Sequence, residues 1–167
     1  MKKLNLKKGF TLIELLVVVA IIGLLAAVIM VALSSARNKG GDAAVKANLD
    51  IIRSQAELFY SDNAESYLPP GGTIRTPANC TVYGAAPINI FNYDKVIADA
   101  IAEARLRGGG ATSCANSSST WAVAVELKSS NPPSNRATWC VDSSGRSKQY
   151  GLTSAAISNT SPNFFCN

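Results

Sequence analysis

Hydrophobic and polar positions divide the chain into three regimes. From Leu15 to Leu33, nineteen consecutive residues lack a charged or hydrogen-bonding side chain. As a helix rising about 1.5 Å per residue, this run spans roughly 28 Å, close to the hydrocarbon thickness of a bilayer. Between Ser35 and Tyr60 the pattern turns amphipathic. Val45, Leu49, Ile52, Ala56 and Phe59 recur at steps of four, three, four and three, which makes one apolar stripe of a helix suited to packing on a globular domain. Gly40 and Gly41 interrupt this helix, each costing about 1 kcal/mol relative to alanine, and predict a weak point between its two halves. Pro69-Pro70-Gly71-Gly72 then ends the helical region and opens the third regime.

In that third regime the periods are short. Thr81-Val82-Tyr83 is strand-like. Asn92 is placed to cap a helix over Tyr93 to Arg107, with Val96, Ile97, Ala100, Ile101 and Ala104 on one face and Gly108-Gly109-Gly110 as its terminator. The glycines are not a phosphate loop, because no Gly-Lys-Ser/Thr follows. Trp121, Val123, Val125 and Leu127 alternate with Ala122, Ala124, Glu126 and Lys128, predicting a strand with one buried face. Ser129 to Asn135 reads as a loop, Thr138 to Asp142 as a second strand, and Ser143-Ser144-Gly145 as a turn into a third strand, Ser147 to Leu152. Serine-rich Ser113 to Thr120 and the Asn-x-Ser/Thr sites at Asn79, Asn116 and Asn159 mark exposed loops. Trp121 and Trp139 fall in strand patterns and are expected in the core.

Charge changes the picture less than its total suggests. The net charge is +5, yet Lys2, Lys3, Lys7 and Lys8 supply four positive charges, and from Ser34 onward twelve Lys/Arg face ten Asp/Glu. No clustered basic or aromatic–basic surface for nucleic acid stands out. The chain has no histidine, which removes His-dependent triads and the usual zinc ligand sets; no catalytic residue, metal ligand or cofactor site is expected. The lysines on the amino-terminal side of the apolar run keep that end in the cytoplasm, so everything after Leu33 lies outside. Cys80, Cys114, Cys140 and Cys166 are then all in a compartment where disulfides persist, and their number and wide spacing read as two bridges with three connectivities open. A cleaved secretory signal is the competing reading of the first 36 residues, with Ser34-Ser35-Ala36 as its cleavage site, but its apolar stretch is usually only about 7–15 residues long.

One residue does not fit an ordinary anchor. Glu14 sits directly against the apolar run, where a carboxylate costs roughly 2–3 kcal/mol or more at the bilayer centre and less near an interface. It calls for a cationic partner, or for a helix amino terminus at the headgroups. With its surroundings, KKGFTLIELLVVVAIIGLLAAV at residues 7 to 28, it resembles the leader and first helix of the type IV pilin and type II secretion pseudopilin superfamily. The resemblance implies that a prepilin peptidase cuts between Gly9 and Phe10 and methylates the new amino group of Phe10. It also implies that Glu14 meets a Phe10 amine, preferably that of a neighbouring subunit, during filament assembly. Gly23 and Ala27 form a small-x-x-x-small pair that lets helices approach closely.

The resemblance further implies an α+β fold, a long amino-terminal helix packed on a small antiparallel sheet of three or four strands. The organisation expected is a leader at 1–9, a transmembrane and filament-core helix at 10–34, an amphipathic half at 35–61 and a globular head with two disulfides at 62–167. Pilins resemble this chain in a carboxy-terminal disulfide loop, and the sequential pairing, Cys80–Cys114 and Cys140–Cys166, is the one expected. The related chains often carry a helix-breaking proline in the long helix; here none precedes Pro69. Implied partners are other copies of the chain, the peptidase, assembly machinery of a bacterial inner membrane, and lipid before assembly. The alternatives are a type II secretion pseudopilin and, from another class, a monomeric membrane-anchored binding protein for DNA or a glycan; no sequence feature supports DNA binding or adhesion.

Overall fold

The computed structural model describes residues 9–81, 83–86, 88–129, 137–151, 156–158 and 160–167. The chain forms two compact units, Met1–Arg37 and Asn38–Asn167. Helix α1, Leu12–Asp62, contributes to both. In the first unit it is an apolar rod whose large side chains, from Leu12 to Leu33, are exposed on every side. Its sequence gives no reason for a break, since the run is rich in Leu and Ala and has no proline.

In the second unit the apolar stripe is buried as its spacing predicts. Val45, Leu49, Ile52 and Ala56 are inaccessible to solvent and Phe59 packs at their margin. The helix runs unbroken through Gly40 and Gly41, against the expected weak point. Gly41 is required by contact: a Cβ there would lie 2.6 Å from the Arg107 carbonyl oxygen, so the missing side chain lets α1 approach the end of the next long helix.

Strand β1 is Arg75–Ala78, an edge strand, where Pro77 is tolerated because it has no ladder hydrogen to give. The expected strand at Thr81 to Tyr83 is not formed at its described ends, and Val82 lies outside the described residues. The single helix expected from Tyr93 is two. A short α2, Ile90–Tyr93, is capped by Asn89, and α3, Lys95–Arg107, is capped by Asp94, whose carboxylate accepts from the Ile97 N–H at 3.0 Å. Asn92 is therefore not the cap of the long helix; its side chain closes a capping box with Asn89. On α3, Ile97, Ala98, Ala100, Ile101 and Ala104 are buried, whereas Val96 is turned outward. Gly108 ends it, its N–H donating to the Ala104 carbonyl at 2.9 Å.

The sheet has five strands in meander order, β1-β2-β3-β4-β5, all antiparallel: β2 is Thr112–Asn116, β3 Trp121–Glu126, β4 Thr138–Asp142 and β5 Ser147–Tyr150. Strand β2 takes in the first half of the expected serine-rich loop and buries Asn116, so that site is not exposed, while residues 117–120 form the β2–β3 loop with Ser118 and Ser119 exposed; Asn79 is exposed and Asn159 lies outside the described residues. Most of the expected loop at Ser129 to Asn135, and Leu152 at the end of the third expected strand, also lie outside them.

Both faces of β3 are covered. Trp121, Val123 and Val125 point into the core formed with α1 and α3, and Trp139 lies partly buried at its edge with the Lys46 ammonium 4.2 Å from its ring centre. On the opposite face Ala122 and Ala124 pack under Ile157, Phe164 and Cys166. The expectation of one buried face fails because the carboxy-terminal tail forms a third layer, and alanines leave room for it. The head is thus helices, sheet and tail, an α+β arrangement of the pilin-like kind.

Candidate functional site

The start of α1 gathers the residues singled out in the sequence. Thr11 is the residue before the first helical turn: its carbonyl accepts from the Leu15 N–H at 3.3 Å. The Glu14 carboxylate folds back to accept from the Thr11 N–H and the Thr11 hydroxyl, both at 2.8 Å, while the Glu14 N–H donates to the Thr11 hydroxyl at 3.3 Å. This is a capping box, in which a Thr and a Glu three residues later satisfy each other's backbone donors at a helix amino terminus. Thr11 is the functional partner that sequence reasoning missed, although the Thr-x-x-Glu spacing announces it.

Phe10 precedes the helix and is 91% exposed, so in the uncleaved chain Phe10 and Glu14 do not share a helical turn. In the uncleaved chain Phe10 has no free amine to offer, and the Glu14 carboxylate is taken by Thr11. Phe10, Ile13, Val17 and Val18 surround Glu14 in a shallow groove. Gly9 is exposed with open space around its Cα, so its backbone is accessible. The lysines at positions 2, 3, 7 and 8 lie outside the described residues. Among the described residues α1 is the one helix long and apolar enough to cross a membrane, by length and composition.

A second constellation closes the head. Cys80 joins Cys114 and Cys140 joins Cys166, with Cα separations of 5.1 and 5.8 Å, so the sequential pairing holds. The bridges sit on opposite faces of the sheet: Cys114 belongs to the helix-side core and Cys140 to the core beneath the tail. Two buried carboxylates, neither singled out from the sequence, hold neighbouring segments. Asp42 accepts from the Lys128 N–H at 2.6 Å and from the Ser129 N–H and hydroxyl, fixing the segment after β3 to α1. Asp142 organises the β4–β5 turn, where Gly145 adopts a φ of 85° that a side chain would disfavour. Tyr67 donates to Glu57 at 2.8 Å, and burial, reinforced by that hydrogen bond, pushes its phenol above the ordinary range.

Comparison with known proteins adds two findings. The family described as the prokaryotic N-terminal methylation motif matches residues 4–33. The chain is also 43% identical over 79 residues to the type IV wide pilus major component PilA4 of Thermus thermophilus, an overlap covering 44% of this chain and 60% of that protein. The chain thus spans about 60% of the length of the curated relative it matches. No solved structure matches it.

Proposed function

We propose that this chain, a member of the type IV pilin superfamily, is the precursor of a pilus subunit that is cut, methylated and polymerised through its apolar helix. The observation that carries the reading is the head of α1, where a single carboxylate, Glu14, stands at the start of a rod exposed on all sides and four residues after Phe10. Such a rod needs an apolar surrounding, lipid before assembly and other copies of itself afterwards. The leader lysines hold the amino terminus in the cytoplasm, where a prepilin peptidase reaches Gly9-Phe10.

Cleavage turns Phe10 into a cation on a short tether beside the capping box. An unpaired carboxylate inside an apolar bundle is expensive, so Glu14 accepts the Phe10 amine of a neighbouring copy and thereby selects the axial register of the incoming subunit. The Thr11 N–H survives cleavage and keeps the carboxylate oriented at the helix start. The chemistry is done to this chain, and the assembly machinery of the inner membrane is its partner. The relative's description as a wide pilus major component favours a pilus over a secretion pseudopilus.

Intact-mass and amino-terminal analysis of the native protein tests processing: a chain beginning at methylated Phe10 is expected. One still beginning at Met1, in a host with active peptidase, would refute the proposal. Glu14→Ala should insert in the membrane and fail to form filaments, and normal filaments from it would remove the assembly role. Electron microscopy of surface filaments containing the subunit separates a pilus from a secretion apparatus.

A further inference from the structure

We propose that the Asp142 carboxylate docks the carboxy-terminal tail before the tail's disulfide exists, which makes Asp142 the positioning residue for oxidative closure of Cys140 onto Cys166. Asp142 ends β4 and is completely buried. Its two oxygens have separate tasks. Oδ1 accepts from the Ser144 N–H at 2.9 Å, the Ser144 hydroxyl at 2.7 Å and the Arg146 N–H at 3.1 Å, all within the β4–β5 turn. These bonds span two to four residues and form whenever the hairpin forms, an Asx-type turn. Oδ2 faces the tail and accepts from the Cys166 N–H at 2.8 Å, across a separation of 24 residues.

The turn therefore presents a preformed acceptor beside Cys140, which precedes Asp142 by two residues and so shares its face of the strand. A buried carboxylate oxygen left without a donor is costly, and the Cys166 N–H removes that cost at the place where the two sulfurs meet. The rest of the tail is held without sulfur as well. The Phe164 N–H donates to the Thr120 hydroxyl at 3.0 Å, that hydroxyl donates to the Pro162 carbonyl at 2.8 Å, and Phe164 is buried against the sheet. The other bridge lacks this device: the Cys80 N–H meets the neutral Thr112 hydroxyl at 3.3 Å.

Closure then runs as an ordinary thiol–disulfide exchange with a disulfide-bearing oxidant, R–S–S–R. The thiolate of one cysteine attacks, breaks the oxidant's S–S bond and releases one RS⁻, leaving a mixed disulfide. The thiolate of the other cysteine attacks the protein sulfur of that mixed disulfide and releases the second RS⁻. Two electrons pass from the cysteine pair to the oxidant, and the two thiol protons end on the released RS⁻. Asp142 takes no part in the exchange itself; it raises the concentration of one thiol at the other.

The test uses the full chain in detergent micelles, reduced and equilibrated with reduced and oxidised glutathione, with each bridge followed by alkylation and peptide mass spectrometry. In Asp142→Asn the side-chain oxygen stays with the three donors of the turn and the NH₂ group faces the Cys166 N–H. The effective concentration of the Cys140–Cys166 pair should fall about ten-fold or more, with that of Cys80–Cys114 changing less than about two-fold. An unchanged Cys140–Cys166 value overturns the proposal. So does an equal fall at both bridges, which would make Asp142 a support of the whole head. A second measurement avoids dependence on that variant's folding. With Cys140 and Cys166 both replaced by Ser and Cys80–Cys114 intact, the residue-166 amide should remain protected from hydrogen exchange, and loss of that protection also overturns the proposal.

Discussion

Two adjacent glycines should respond differently to the same substitution. Gly40 and Gly41 both lie inside α1, so replacing either by alanine gains about 1 kcal/mol of helix propensity. At Gly40 nothing lies within 4 Å of the added carbon, and the gain stands. At Gly41 the added carbon meets the Arg107 carbonyl oxygen at 2.6 Å, 0.8 Å short of the 3.4 Å at which ordinary van der Waals contact begins. That oxygen belongs to the backbone at the end of α3, anchored by the neighbouring Gly108 N–H on Ala104, so it cannot swing away as a side-chain tip would. Forcing the two elements apart costs about 1–3 kcal/mol, which offsets or exceeds the propensity gain. The two variants should therefore differ by about 1–3 kcal/mol, or roughly 3–10 °C in Tm for a unit of this size. Thermal unfolding of the full chain in detergent, followed by circular dichroism, measures the difference. The reasoning fails if Gly41→Ala proves as stable as Gly40→Ala, since the glycine would then be incidental to the packing.

Asp42→Ala strips the acceptor from the Lys128 and Ser129 N–H groups and should lower stability by about 1–3 kcal/mol, read as a lower urea midpoint at unchanged slope. Ala124→Leu lies on the face of β3 that simple alternation assigns to solvent. Because the tail covers it, the variant should lose about 1–3 kcal/mol by the same urea titration, whereas an exposed position would tolerate it. The Tyr67 phenol has its pKa raised in the folded state, so its contribution is complete below the unfolded value of about 10 and is lost as pH rises above it. Tyr67→Phe should flatten the decline of stability above about pH 10, and an identical alkaline slope in both proteins would refute the link.

Local chemistry carried much of this protein's organisation into view. The rod from Leu15 to Leu33 is legible because unbroken apolar length is a property of the residues themselves, whatever comes to surround it. Its partner stripe from Val45 to Ala56 is legible because a helix repeats every 3.6 residues whatever it packs on. Glu14 stood out as a charge against an apolar run, and Thr11 was within reach because a capping box closes over three residues. Cysteine pairing came from resemblance, and folding placed the two bridges on opposite faces of the sheet.

What escaped the sequence depends on contacts between distant segments. Thr112 to Asn116 carries the polarity of a loop, yet two neighbouring strands complete its hydrogen bonds and a second layer hides its face. Ala122 and Ala124 look like the open side of a strand until the tail lies across them. Gly41 looks like a helix break until the end of α3 fills the space of its missing side chain. Asp42 and Asp142 look like surface acids, and their roles appear only when backbone donors from 86 and 24 residues away arrive at their oxygens. Sequence by itself determined the elements whose physics is periodic or local: the rod, the stripe, the capped start and most strands. Only the tertiary structure decided which polar and small residues would be buried, because burial belongs to pairs of surfaces and one segment carries only half of each pair.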